Sequence, residues 1–311
     1  MEREPALELA IVGLGRMGGN MARRLVRLGV RVVGWNRSPE AVREIAAEGM
    51  VPAENPEALP ALLKAPRLVW VMLPAGEATE QTLERLATLL SPGDLIVDGG
   101  NANYKDSQRR GRWLEEKGFL FADVGVSGGV WGLQNGYGLM AGGSPEARAR
   151  LEPFLKLLAP APDKGWVWAG PVGAGHFAKM VHNGIEYGMM QALAEGLAII
   201  RKKEEFATNL AELTEAWRYG TVIRSWLLDL TAAALAEDQD LAGIAPVVAD
   251  SGEGRWTVME AVELGVAAPV ITEALYARFG SQDQEGYAYK LLAMMRKGFG
   301  GHAVQKAEGQ G

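Results

Sequence analysis

Residues 7–18, LELAIVGLGRMG, decide the fold. Their first half, 7–12, is a short apolar run that reads as a buried strand, and it feeds straight into Gly13-Leu14-Gly15-Arg16-Met17-Gly18. A G-x-G-x-x-G pattern alone is weak evidence. One that leaves a strand and opens an amphipathic helix, here 17–28, is much stronger. Each glycine then serves a separate purpose. Gly13 permits the tight turn, Gly15 lets backbone approach a pyrophosphate, and Gly18 lets helix and strand pack closely. The free N–H groups at the helix start hold the phosphates. A glycine turn that binds nothing is the alternative.

The second strand is 31–36, RVVGWN. About 20 residues beyond the glycines, NAD sites place an acidic side chain on the ribose 2′-hydroxyl. Here Asn36-Arg37-Ser38 stand instead. Without a carboxylate nothing repels a 2′-phosphate, and the Arg37 guanidinium can grip one with a charge-assisted fork. NADP is favoured, with NAD possible.

Strand and helix patterns continue to alternate. Residues 56–64 read as a helix, and 68–73, LVWVML, as a strand covered on both faces. Leu73-Pro74-Ala75 end it on the edge where open sheets bind ligands. The strand at 95–98 leads to Gly99-Gly100-Asn101, and the strand at 119–126 leads to Ser127-Gly128-Gly129. An amide suits nicotinamide or substrate, and a hydroxyl with two unhindered N–H groups suits a carboxylate. Further strands are expected at 136–143 and 166–169. After about Gly170 helical patterns take over, at 175–203, 208–219, 221–236, 256–264, 269–279 and 284–297. The fold class is a Rossmann-type α/β dinucleotide-binding domain, residues 1–172, followed by an all-α domain, 173–311.

The helix at 173–203 carries the chemistry. Its later part reads as buried through Met189, Met190, Leu193, Leu197, Ile199 and Ile200. Lys179, His182, Asn183, Glu186 and Tyr187 are spaced i, i+3, i+4, i+7, i+8 and share one face. Lysine and glutamate are almost never buried without a partner. Gly184 and Gly188 interleave with them, each costing about 0.8–1 kcal/mol against alanine. An ion pair beside a satisfied histidine is the plain reading; an active site is the sharper one. His182 and Glu186 alone do not make a metal site, so no metal is expected.

The 311 residues suffice for two domains, and a net charge of −6 argues against a nucleic-acid surface. There is no cysteine, so disulfides and thiolate chemistry are excluded. No apolar run approaches the roughly 20 residues of a membrane span, and the N-terminus lacks a signal-peptide layout. A cytoplasmic protein is the expectation.

Together, GLGRMG, DGGN (98–101), SGG (127–129), K-x-x-H-N-x-x-E-Y (179–187) and R-x-x-F-G-x-H (296–302) resemble the decarboxylating 6-phosphogluconate dehydrogenases, most of all their shorter form. The resemblance implies oxidation and decarboxylation of 6-phosphogluconate to ribulose 5-phosphate in the pentose phosphate pathway. It implies Lys179 as general base and Glu186 as general acid. Asn101, Ser127, Gly128, Gly129, His182, Asn183 and Tyr187 would line the sugar-acid site, with Arg278 on the substrate phosphate. Arg296 and His302 would enter the neighbouring subunit's site, making a homodimer, or a dimer of dimers, the active form. Gly13, Leu14, Gly15, Arg16, Met17, Gly18, Asn36, Arg37, Ser38, Leu73, Pro74, Ala75 and Asn101 match dinucleotide contacts. In one departure, Ser251 stands where long-form relatives carry a phosphate-binding lysine, and Arg255 is the nearby cation. The competing readings are a dehydrogenase of a small hydroxy acid such as 3-hydroxyisobutyrate, and a non-catalytic dinucleotide sensor.

Overall fold

The computed structural model describes residues 7–300 and 303–305, without the side chains of 299 and 300. The chain divides into two compact units, the first ending at Asn183 and the second beginning at Gly184.

The first unit is built on eight strands: β1 (Glu8–Val12), β2 (Arg31–Trp35), β3 (Val51–Pro52), β4 (Leu68–Val71), β5 (Leu95–Asp98), β6 (Leu120–Ser127), β7 (Gly138–Gly143) and β8 (Trp166–Gly170). They form one sheet in the order β3-β2-β1-β4-β5-β6-β7-β8. All neighbours are parallel except β6 and β7, which run antiparallel. The helices between them are α1 (Arg16–Arg27), α2 (Pro39–Ala46), α3 (Leu59–Leu62), α4 (Glu77–Leu89), α5 (Tyr104–Glu115), α6 (Gly132–Asn135) and α7 (Pro145–Leu158). Successive side chains of a strand point to opposite faces. Leu9 and Ile11 of β1 accordingly enter a core with Met21, Leu25 and Trp70, while Ala10 and Val12 enter another with Val33, Leu83 and Leu86. Two covered faces explain why β4 is an unbroken apolar run and β5 is apolar up to Asp98.

Most elements fall where the periodicity placed them. The expected helix at 56–64 is instead a 3-10 turn at Pro56–Ala58 followed by the single turn α3. Pro60 has no N–H to give and is accommodated only in a first helical turn, so the helix restarts there.

α8 (Ala174–Lys202) is continuous and runs from the first unit into the second. The second unit adds α9 (Leu210–Trp217), α10 (Trp226–Glu237), α11 (Glu253–Leu264), α12 (Pro269–Gln282) and α13 (Tyr287–Gly300). α10 begins five residues later than the pattern suggested because the Ser225 side chain caps it, accepting the Leu228 N–H. The second unit's apolar clusters are small: Tyr187 with Ala274 and Leu275, and Leu197 with Leu210 and Leu235. The later part of α8 departs from expectation. Met189, Met190 and Ile199 are 43%, 39% and 71% exposed. Their apolar pattern is real, but the described residues do not cover it. Among the described residues no helix is long and apolar enough to cross a membrane.

Candidate active site

The glycine loop forms the cradle its sequence suggested. At Gly13, φ is +98° and an added Cβ would sit 2.3 Å from the Met72 carbonyl oxygen; at Gly18 it would sit 2.0 Å from that of Gly13. Only glycine fits either position. An added Cβ at Gly15 would meet nothing within 4 Å, so the loop is open on that side. Gly15 caps α1 without a side-chain hydrogen bond. The first N–H groups of α1 are therefore available to an anion, and the loop fits a dinucleotide pyrophosphate.

Asn36 is not a free ligand group. Its Oδ1 accepts the Leu14 N–H at 3.0 Å and its Nδ2 donates to the Ser38 carbonyl at 3.2 Å, tying the end of β2 to the glycine loop. Arg37 is exposed, with no hydrogen bond to another described residue. Ser38 donates its hydroxyl to Glu40 at 2.8 Å. A carboxylate therefore does stand here, four residues beyond Asn36 in α2, where the sequence reading placed none.

The turns after β4 and β5 touch: a Cβ on Gly100 would lie 2.3 Å from the Leu73 carbonyl oxygen. The DGGN turn is fixed from within by Asp98. Its carboxylate accepts the Gly100 N–H at 3.2 Å and pairs with Arg110 of α5 at 2.8 Å, with both side chains fully buried. Arg110 also donates to Glu80 of α4 at 2.9 Å. Asn101, Pro74 and Ala75 project from these anchored turns into solvent.

The same close packing seats Lys179. Gly175 of α8 lies so near β6 and β7 that a Cβ would come within 2.5 Å of the Asp123 and Met140 carbonyl oxygens. A Cβ on Gly125 of β6 would meet the Lys179 Cβ at 2.2 Å. The lysine stem thus lies directly on the strand that ends in Ser127, and Lys179 is 8% exposed. Its amine donates to Asn183 Oδ1, which also lies 3.1 Å from His182 Nδ1. Gly128 and Gly129 follow with φ of +123° and +53°.

The N-terminal turn of α8 is held by residues the sequence reading passed over. Buried Asp123 accepts the Gly173 and His176 N–H groups at 2.6 and 2.7 Å. Burial pushes its carboxyl above the usual range, against the pull of His176 and those two N–H groups. His176 Nδ1 meets Ser107 Oγ at 2.7 Å. Serine, histidine and aspartate here are not a nucleophile set: Ser107 is fully buried, and Asp123 bonds the His176 backbone. A carboxylate inside the apolar run FADVGV was the legible signal.

In the second unit, Tyr187 is 5% exposed and donates to Asp250 at 3.1 Å. The Arg278 guanidinium stacks 3.4 Å from the Tyr187 ring centre and donates to the Ala249 carbonyl at 2.9 Å. Arg255, the cation nearest the missing lysine, pairs with Asp250 at 2.9 Å, while Ser251 donates its hydroxyl to buried Glu253 at 2.6 Å. Burial of Asp250 is outweighed by the Gly252 N–H, Arg255 and Tyr187, which hold its carboxyl below the usual range. The glycine notches of α8 are filled by packing: added Cβ atoms would meet Thr257 at 2.6 Å from Gly184 and Val270 at 3.2 Å from Gly188. Glu186 lies one i+7 step from Lys179 along α8 and is partly exposed. Arg296 is exposed on α13, and His302 lies outside the described residues.

Both parts of the chain match one known family. Residues 8–170 match the NAD binding domain of 6-phosphogluconate dehydrogenase, and residues 175–309 match the 6-phosphogluconate dehydrogenase C-terminal domain. An NAD(+)-dependent, decarboxylating 6-phosphogluconate dehydrogenase of Haloferax volcanii is 38% identical over 97% of this chain and 100% of its own. The Plasmodium falciparum 6-phosphogluconate dehydrogenase, solved in apo form, with NADP+ and with 6-phosphogluconate, superposes with a TM-score of 0.81 at 29% identity, over 97% of this chain and 67% of its own. A 3-hydroxyisobutyrate dehydrogenase of Salmonella typhimurium shares the fold, with a TM-score of 0.74 at 21% identity over 90% of this chain and 95% of its own.

Proposed function

Since the chain belongs to the 6-phosphogluconate dehydrogenase family, we propose that it oxidises and decarboxylates 6-phospho-D-gluconate to D-ribulose 5-phosphate and CO2, with Lys179 as base and Glu186 as acid. The observation that carries this reading is the seat of Lys179: a nearly buried amine whose stem lies on β6 just before Ser127-Gly128-Gly129 and whose tip is held by Asn183.

In this reading neutral Lys179 takes the proton of the carbon-3 hydroxyl. Bound NADP or NAD supplies the hydride acceptor. Lys179, now an ammonium, donates a hydrogen bond to the new carbonyl oxygen and stabilises the enolate that forms as CO2 leaves. Glu186 then protonates carbon 1 of the enediol. Asn101, Ser127, Gly128, Gly129, His182 and Asn183 orient the sugar acid, and Tyr187 and Arg278 meet its phosphate end. Asn183 has a second duty, since its one amide oxygen meets both Lys179 and His182.

Residues 1–172 act as the dinucleotide domain and 173–311 as the substrate and dimerisation domain of a cytoplasmic homodimer, with Arg296 and His302 reaching the neighbouring site. The exposed apolar side chains of the second unit support the dimer. Steady-state assays with both cofactors, following reduced cofactor and released CO2 together, test the reaction. Equal yields of the two from 6-phosphogluconate are expected. Reduction with 3-hydroxyisobutyrate and none with 6-phosphogluconate would overturn it.

A further inference from the structure

The cofactor end of the first unit holds a charge the glycine motif does not reveal. The Asn36–Leu14 hydrogen bond brings the end of β2 against the glycine loop, which is where a dinucleotide's adenosine ribose lies in this fold. The four residues that follow Asn36 carry three polar side chains, all exposed. Arg37 offers an exposed cation, and Ser38 offers a hydroxyl that is already donated to Glu40 Oε2. Glu40 in turn meets Arg43 at 3.1 Å.

We propose that Glu40 is a specificity-determining residue, which weakens the grip on a 2′-phosphate by adding a carboxylate three residues beyond Arg37 and by occupying the Ser38 hydroxyl. The proposal rests on Arg37 being the 2′-phosphate ligand. A phosphate brought to Arg37 meets a like charge and finds the neighbouring hydroxyl pointing elsewhere. The neutral 2′-hydroxyl of NAD meets neither obstacle, and a carboxylate can accept its proton in a hydrogen bond. The Glu40 carboxyl stays ionised at neutral pH, since its own backbone N–H, the Ser38 hydroxyl and Arg43 hold it below the usual range. One loop thus both attracts and repels the group that separates the two cofactors, so both are accepted.

Two substitutions separate the two effects. Glu40→Gln removes the charge at nearly constant shape; Glu40→Ala also frees the Ser38 hydroxyl. Dissociation constants of NADP+ and NAD+ for the full-length protein, measured by calorimetric titration, give a readout independent of turnover. Glu40→Gln should tighten NADP+ roughly two- to fivefold, the range of an exposed charge pair, and leave NAD+ unchanged or slightly weaker. Glu40→Ala should tighten NADP+ at least as much. The gain should fade near 1 M salt, where the screening length is about 3 Å. An unchanged ratio of the two constants in both variants at low salt would overturn the proposal. Arg37→Ala, titrated alongside, isolates the premise. Loss of NADP+ affinity there, with no response at Glu40, sinks only the role of Glu40. No response at Arg37 shows that the 2′-phosphate is held elsewhere, and the ligand role of Arg37 falls with it.

Discussion

A methyl group at Gly125 would occupy the space of the first two carbons of the Lys179 side chain, 2.2 Å from its Cβ and 2.8 Å from its Cγ. That overlap makes Gly125 the most direct test of whether the seat of Lys179 matters. Gly125→Ala must push the lysine stem off β6, at a stability cost of about 1–3 kcal/mol. A displacement near 1 Å at a reacting group costs on the order of 100-fold in rate. We expect kcat to fall by about that factor, with the cofactor dissociation constants unchanged, in stopped-flow turnover and equilibrium titration. Lys179→Ala removes the amine itself and should lose on the order of 10²–10⁴ in kcat, again with cofactor binding retained. Substantial turnover in Lys179→Ala would take the base role from Lys179.

Between residues and the whole chain stand the elements, and two acids decide how they are joined. Arg110 and Asp98 tie α5 to the end of β5, each about 1% exposed. Removing one partner of such a pair strands the other charge, at a cost of about 3–5 kcal/mol. Arg110→Ala should lower the unfolding free energy by that much in urea titration, whereas a loss below 1 kcal/mol would show the pair is not what fixes the DGGN turn. Asp250 joins Tyr187 to the segment before α11, and its pKa is depressed by the Gly252 N–H, Arg255 and Tyr187 against its burial. A carboxyl whose folded pKa lies below its unfolded value, about 3.9, stabilises the fold above that pH. The contribution is lost as pH falls from about 4 through the depressed value. Asp250→Asn should therefore flatten the acid limb of the stability curve below about pH 4, measured by thermal unfolding. An unaltered acid limb would remove Asp250 from that role. These joints also mark the limit of what the sequence makes legible. The glycine loop, the parallel strands and the one-faced set on α8 follow from spacing, because period and turn chemistry are local. Asp123, Ser107 and His176 take their roles from partners that only the fold brings near. The start of α10 is set by the Ser225 cap rather than by apolar period.

At the scale of the whole molecule the question is what covers the second unit. Val222, Val262, Val270 and Ile199 are 100%, 77%, 66% and 71% exposed. On α13, Leu291, Leu292, Met294 and Met295 are each about half exposed. Apolar periodicity shows that a side chain is destined for an interior and is silent on whose interior it is. That is why Met189, Met190 and Ile199 read as buried and stand open here. Monomeric soluble proteins rarely carry large contiguous apolar patches, so a second copy is the simplest cover. If so, α13 contributes both to assembly and, through Arg296, to the substrate site of its neighbour. Truncation after Lys290 removes those four side chains, the rest of the C-terminal apolar residues and that cation together. The shortened chain should sediment as a monomer or a weak dimer and show a KM for 6-phosphogluconate raised at least tenfold, about 1.4 kcal/mol of binding. NADP+ and NAD+ should bind it as tightly as they bind the full chain, since the first unit is untouched. Arg296→Ala in the full-length chain separates the two effects: it should raise KM while leaving the dimer intact. A truncated chain that remains a dimer with an unaltered KM would show that α13 serves neither assembly nor catalysis.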